Sequence, residues 1–411
     1  MHLLYILLIL LLVTRIGSEI AVRLKQPALV GELLGGVLLG ILIVSAPDSA
    51  EAIAELDSDK TFQAVLDLAV FFLMLLAGIE MRPGDLAQAS GKAIPIAVAG
   101  MLLPLGLGFA LGWWWLPESD WKTAQSLFIG VALAITAVPV AVKVLMDFGQ
   151  LQTQVGQVVI AAAVIDDVLS LLLLAMLTSI ITAGENVSAG LLLRITFNVL
   201  AFFAAAWLIG RYLLPRAGQY VQKVASAHGD LSLLIIFALA LSVLAEALGM
   251  HFLIGAFAAG LLFTRNVVGK GTHDALRSQT EAITLGFLAP VFFASIGIHL
   301  NVTAIAAAPL FLLVLLLAAT VGKLAGAGLA ARASGFSGRE SLAVGSAMNA
   351  RGAVEIIIAD IALRAGLFDH PDPTPPAIDY LFSAIVIMAI VTTLSTPIAL
   401  RWLLPAERGG K

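Results

Sequence analysis

The chain has 411 residues, 60% of them hydrophobic and only 12% charged, with no cysteine and a formal net charge of −4. A soluble domain carries about 25% charged residues; this composition, with a mean hydropathy of +1.02, instead describes a polytopic helical membrane protein. Disulfides, thiol catalysis and cysteine-ligated metals are excluded, and the near-neutral charge argues for neither nucleic acid nor an acidic partner.

In chain order, Met1 to Val22 is apolar but lacks a basic leader and an A-x-A cleavage site, so it reads as a first spanning helix rather than a removed signal. At about twenty residues per span, roughly thirteen helices are expected. They lie over 2–23, 28–46, 61–81, 93–115, 124–146, 151–182, 189–213, 230–248, 250–265, 280–299, 303–331, 340–365 and 376–404. The connections are short, so 1–411 is expected to be one transmembrane domain ending in a short cytoplasmic tail, 406–411.

Orientation follows from Lys and Arg in the short loops, which favour the cytoplasmic side. Alternate loops carry Arg23 and Lys25; Arg82 and Lys92; Arg211, Arg216 and Lys223; Arg265, Lys270 and Arg277; Arg332 and Arg339; and Arg401, Arg408 and Lys411. The intervening loops are acidic or bare, as at Asp48 to Asp59, Glu118, Asp120, Glu185 and Asp369 to Asp379. The N-terminus is therefore expected outside and the C-terminus inside, which requires an odd number of spans.

Two spans carry interruptions at matching places. The fifth contains Thr136, Val138 and Pro139, and the proline removes a backbone donor in mid-helix. The twelfth runs G-S-A-M-N-A-R-G-A-V-E, with Asn349, Arg351 and Gly352 breaking the apolar pattern. Taking 1–183 and 225–405 as two inverted repeats, with a linker helix in 184–224, puts both breaks fifth in their halves. Interrupted helices in matching positions of an inverted repeat point to a transport site at mid-membrane.

The costliest stretch is A-A-A-V-I-D-D-V-L-S-L-L-L-L, from Ala161 to Leu174. A carboxylate at the centre of a spanning helix costs about 2.5–3.5 kcal/mol on insertion scales, so the adjacent Asp166 and Asp167 read as an ion or proton site. Their positions are about 100° apart around a helix, so they face different partners. Carboxylates, a hydroxyl at Thr136 and freed carbonyls are oxygen ligands that suit a hard cation. Lys323, in the otherwise apolar A-A-T-V-G-K-L-A-G, is a second intramembrane charge and a candidate partner for Asp166. Arg351 and Glu355, four apart, are placed to pair on one helix face and to compensate the dipoles of the broken ends. Glu32, Glu80 and Glu246 are secondary candidates, while the small-residue runs Gly31–Gly40 and Gly255–Gly260 read as helix packing.

The chain resembles the monovalent cation:proton antiporter-2 family, the Kef-type and NapA-type exchangers. The matching pieces are K-Q-P-A-L-V-G-E-L-L-G-G-V-L-L-G (Lys25 to Gly40), F-F-L-M-L-L-A-G-I-E-M (Phe71 to Met81), T-A-V-P-V (Thr136 to Val140) and A-A-V-I-D-D-V (Ala162 to Val168). They continue with E-A-L-G-M-H-F-L-I-G-A-F-A-A-G (Glu246 to Gly260), P-V-F-F-A-S-I-G-I (Pro290 to Ile298) and N-A-R-G-A-V-E (Asn349 to Glu355). The resemblance implies an exchanger with two broken, crossing helices, arranged as a homodimer, that moves Na⁺ or K⁺ against H⁺ without a cofactor. It implies the cation or proton at Asp167 and a salt bridge between Asp166 and Lys323. The two-aspartate form is similar to the electrogenic exchangers. The chain departs from the family at Ala353, where many members carry the acid of R-G-E, and no nucleotide-binding regulatory domain is expected.

The expected function is thus antiport by alternating access in a prokaryotic inner membrane. Its rivals are a channel-like potassium efflux system and a transport-dead sensor of the same fold. A channel needs a continuous pore that a buried acid–lysine pair obstructs. A degenerate sensor tends to lose costly charges, and here they are retained. An enzyme is not expected, because no nucleophile–base set or cofactor motif appears.

Overall fold

A computed structural model describes residues 3–24, 26–44, 59–80, 91–136, 145, 150, 153–183, 189–214, 229–371 and 373–404. Its regular elements are helices. In chain order the longer ones are α1 (Leu3–Arg23), α2 (Ala28–Val44), α3 (Lys60–Glu80), α4 (Ala93–Trp115), α5 (Lys122–Ala134), α6 (Gln154–Ala183), α7 (Ala189–Leu208) and α8 (Gly229–Ala247). They continue as α9 (Phe252–Leu262), α10 (Lys270–Ile283), α11 (Ala289–His299), α12 (Pro309–Ala333), α13 (Gly338–Ala347), α14 (Ala353–Arg364) and α15 (Leu381–Leu403). Among the described residues, 7 helical stretches are long and apolar enough to cross a membrane. The protein is a polytopic, all-α membrane protein, as the composition requires.

The helices form two compact units, each discontinuous in sequence. One comprises Met1–Pro83 and Ser188–His299, the other Gly84–Val187 and Leu300–Lys411. In the first, α2 packs against α1 and α11, and α9 packs against α3 and α8. These contacts are backbone-close. A Cβ on Gly31 would collide with the carbonyl of Gly17, and one on Gly255 with the carbonyl of Leu241. Both small-residue runs therefore serve packing, as small side chains do where helices meet without a hydrophobic driving force.

The tenth expected span begins earlier than 280. α10 starts at Lys270 and continues through a π-helical turn, Thr284–Leu288, into α11. Its charged residues read as a loop in the sequence, but they are used within the unit. Arg265 pairs with Asp274 at 2.8 Å, and Arg277 with Glu80 at 3.0 Å. The widened turn lies just before Pro290, whose missing N–H and ring favour such an adjustment.

At the start of α3, the Asp59 carboxylate accepts the Thr61 and Phe62 amides at 2.8 and 3.4 Å. The Thr61 amide holds this carboxyl below the usual carboxylate range, and the acid also complements the positive end of the helix.

In the second unit α4 packs between α5 and α12, while α6 lies against α4, α5, α13 and α14. α15 packs on α12, α13 and α14. α13 opens with a capping box, in which Ser337 and Glu340 satisfy each other's backbone amides at 3.3 and 2.8 Å. This unit holds both interrupted spans. α5 stops at Ala134, with Ile135 already extended at φ −72° and ψ 146°. The twelfth expected span is two helices, α13 and α14, joined by a non-helical stretch over 348–352. Val138 and Pro139, expected to mark the first break, lie outside the described residues.

Candidate functional site

The last four carbonyls of a helix have no partner within it. In α5 these belong to Val131, Ala132, Leu133 and Ala134, and two buried cations reach three of them. Arg351 Nη1 donates to the Ala132 carbonyl and, at 3.2 Å, to that of Ile135, while Nη2 donates to Leu133 O at 2.7 Å. Lys323 Nζ donates to the Ala134 carbonyl and, at 2.6 Å, to Thr136 Oγ1. Positive charge at a helix C-terminus complements the negative end of its dipole. The broken end of α5 is thus closed by side chains from α12 and from the break between α13 and α14.

Thr136 joins the two breaks directly. Its hydroxyl accepts from Lys323 and donates to the Met348 carbonyl at 3.1 Å, at the end of α13. Arg351 is fixed from its other end as well, because Thr393 Oγ1 of α15 donates to the Arg351 carbonyl at 2.7 Å. Nothing in the sequence singled out Thr393, since hydroxyls in apolar helices commonly bond to their own backbone.

The acids stand around these cations without hydrogen bonds. Asp166, on α6, lies 3.6 Å from Lys323, with both side chains at 0% exposure. Glu355 lies 3.7 Å from Arg351, again with both at 0%. Neither Asp166 oxygen, neither Glu355 oxygen, nor Asn349 Oδ1 accepts a hydrogen bond among the described residues. The buried carboxylate oxygens are balanced by charge but accept no hydrogen bond among the described residues, which leaves their lone pairs open to a further donor.

The structure thus brings together Asp166, Thr136, Lys323, Asn349, Arg351 and Glu355 in one unit. Asp167 follows Asp166 on α6; its side chain lies outside the described residues. The secondary candidates belong to the other unit. There Glu32 is buried on α2, Glu80 is paired with Arg277, and Glu246 is exposed on α8. The sequence missed the carbonyl partners of Arg351, which lie 216 to 219 residues away.

Buried charges beside interrupted helices of a polytopic membrane protein are pointers to an ion-transport site. The chain matches the family model described as "Sodium/hydrogen exchanger, transmembrane" over residues 7–406, and it belongs to that family. It is 30% identical over 400 residues to the Na⁺/H⁺-K⁺ antiporter GerN of Bacillus cereus, covering 97% of this chain and 95% of that one. A Na⁺/H⁺ antiporter of Enterococcus hirae is 28% identical over 399 residues, covering 97% of each. Among solved structures, that of the sodium proton antiporter MjNhaP1 from Methanocaldococcus jannaschii at pH 8 superimposes with a TM-score of 0.73. It is 17% identical and covers 99% of both chains, a likeness of fold. The exchanger family expected from the motifs is the family found.

Proposed function

We propose that this protein exchanges a monovalent cation, Na⁺ or K⁺, for protons across a prokaryotic inner membrane by alternating access. The observation that carries this reading is the fully buried Asp166–Lys323–Thr136 cluster at the end of α5. The relatives' own names, Na⁺/H⁺-K⁺ antiporter and Na⁺/H⁺ antiporter, support the same chemistry.

The charges around the break suggest which group carries the exchange. Lys323 and Arg351 are balanced by Asp166 and Glu355, each pair within 4 Å. That leaves the Asp167 carboxylate as the charge neutralised in turn by cation and by proton. Asp166 takes part by changing partners. A direct charge-assisted hydrogen bond is about 2.7–2.9 Å, so the 3.6 Å pair is loose. Lys323 keeps two neutral acceptors, Ala134 O and Thr136 Oγ1, when Asp166 turns to the ion. The ammonium is never left bare, which lowers the cost of releasing the acid.

Two protons per cation, and therefore electrogenic exchange, require Asp166 as well as Asp167 to take a proton when the cation leaves, with Lys323 then held by Ala134 O and Thr136 Oγ1. The interleaving of the units, each drawn from both 1–183 and 225–405, supports two inverted repeats that each contribute to both units. Homodimerisation and an outside N-terminus complete the reading. It is tested in sealed proteoliposomes carrying a pH gradient and a lumenal pH dye, to which Na⁺, K⁺ and Li⁺ are added in turn. Cation-evoked collapse of the gradient is expected, at a rate that responds to membrane voltage. Gradients untouched by every cation contradict the exchange, and voltage-independent rates contradict its electrogenicity.

A further inference from the structure

Thr392, Thr393 and Thr396 are three buried hydroxyls on α15, each exposed by no more than 2%. Thr392 donates to the Met388 carbonyl at 2.8 Å and Thr396 to the Thr392 carbonyl at 2.9 Å, both back along their own helix. Thr393 alone reaches out of the helix, to the Arg351 carbonyl 42 residues away in sequence. That carbonyl lies between the end of α13 and the start of α14, where no helical ladder supplies an N–H. Four residues beyond Thr393, α15 contains Pro397, which has no N–H to return to the Thr393 carbonyl. The tether therefore leaves α15 at a turn already loosened by proline.

Arg351 is held at both ends: its guanidinium by the α5 carbonyls, its own carbonyl by Thr393. The backbone position of Arg351 determines where the guanidinium can reach. It thereby sets the terminal turn of α5 that leads into Thr136, the hydroxyl bonded to Lys323 beside Asp166. We infer that Thr393 is a positioning residue for cation binding, acting from α15 through Arg351 on the broken end of α5. The inference rests on the exchange reading above. A purely structural hydroxyl, satisfying one buried carbonyl, lowers stability but leaves the cation affinity of the folded protein unchanged.

The test compares the parent, Thr393→Val and Thr393→Ser in proteoliposomes, measuring apparent cation KM, maximal rate per reconstituted protein, and melting temperature. Thr393→Val removes the hydroxyl at constant shape and is expected to raise the KM roughly threefold to tenfold, the scale of one net hydrogen bond. Thr393→Ser, which keeps the donor, is expected to restore the parental KM. Should the valine variant yield no folded protein, Thr393→Ala carries the same expectation. A parental KM in the Val or Ala variant, whatever happens to melting temperature or rate, overturns the inference. A parent that exchanges no cation overturns the exchange reading itself, and that outcome is read without any variant.

Discussion

Lys323 stands 3.6 Å from Asp166 but gives a 2.6 Å hydrogen bond to Thr136 and another to the Ala134 carbonyl. The pair is therefore asymmetric: the lysine has other acceptors, whereas Asp166 has no hydrogen-bond donor among the described residues.

Removing the lysine should therefore harm the protein more than removing the aspartate's charge. Breaking a buried pair by deleting one partner costs about 3–5 kcal/mol. Lys323→Met is expected near the top of that range, because it strands both Asp166 and the Ala134 carbonyl. Asp166→Asn is expected well below it, and the double variant should recover part of the Lys323→Met loss. Melting temperatures in detergent provide the check; equal losses in the two single variants would speak against the asymmetry.

Arg351 serves three carbonyls of a single helix end with one planar fork. Lysine carries the same charge but cannot fork. Arg351→Lys is expected to lower stability by about 1–3 kcal/mol, the cost of stranding buried carbonyls. Hydrogen exchange should rise specifically at the end of α5. A melting temperature and exchange pattern equal to the parent's would show that charge alone is needed.

Asp59 provides a pH dependence outside the membrane-spanning segments. Its carboxyl is held below its ordinary value by the Thr61 amide, so the folded state binds the proton less tightly than the unfolded chain. This contribution is fully present above the unfolded value and is lost as pH falls through the lower, folded value. Asp59→Asn should lower the melting temperature near neutrality, where the contribution is fully present, and flatten the profile below about pH 4, where the two proteins converge. An acid limb unaltered in the variant would remove Asp59 from it.

Much of this arrangement was legible in the sequence because charge in an apolar helix is expensive and therefore conspicuous. Asp166, Lys323, Arg351 and Glu355 stood out for that reason, and the break at Asn349–Gly352 for its polar and glycine content. α10 was misread between 270 and 279 because its charges looked like a loop, whereas they pair with Glu80 and Arg265 inside one unit. Partners drawn from distant segments left no local trace. The Ala132, Leu133 and Ala134 carbonyls look like any others in an apolar run until the helix ends beneath Arg351 and Lys323. Thr393 was hidden for a related reason, because its neighbours bond to their own helix and only three-dimensional packing distinguishes it.

Asp167, on α6, is the group proposed to take cation and proton in turn. Its most direct test is Asp167→Asn in sealed proteoliposomes with an imposed pH gradient and a lumenal pH dye, reconstituted at the same folded amount as the parent. The account predicts cation-evoked collapse of the gradient by the parent and none by the variant. Collapse by the variant at the parental rate and the same cation concentration would contradict it.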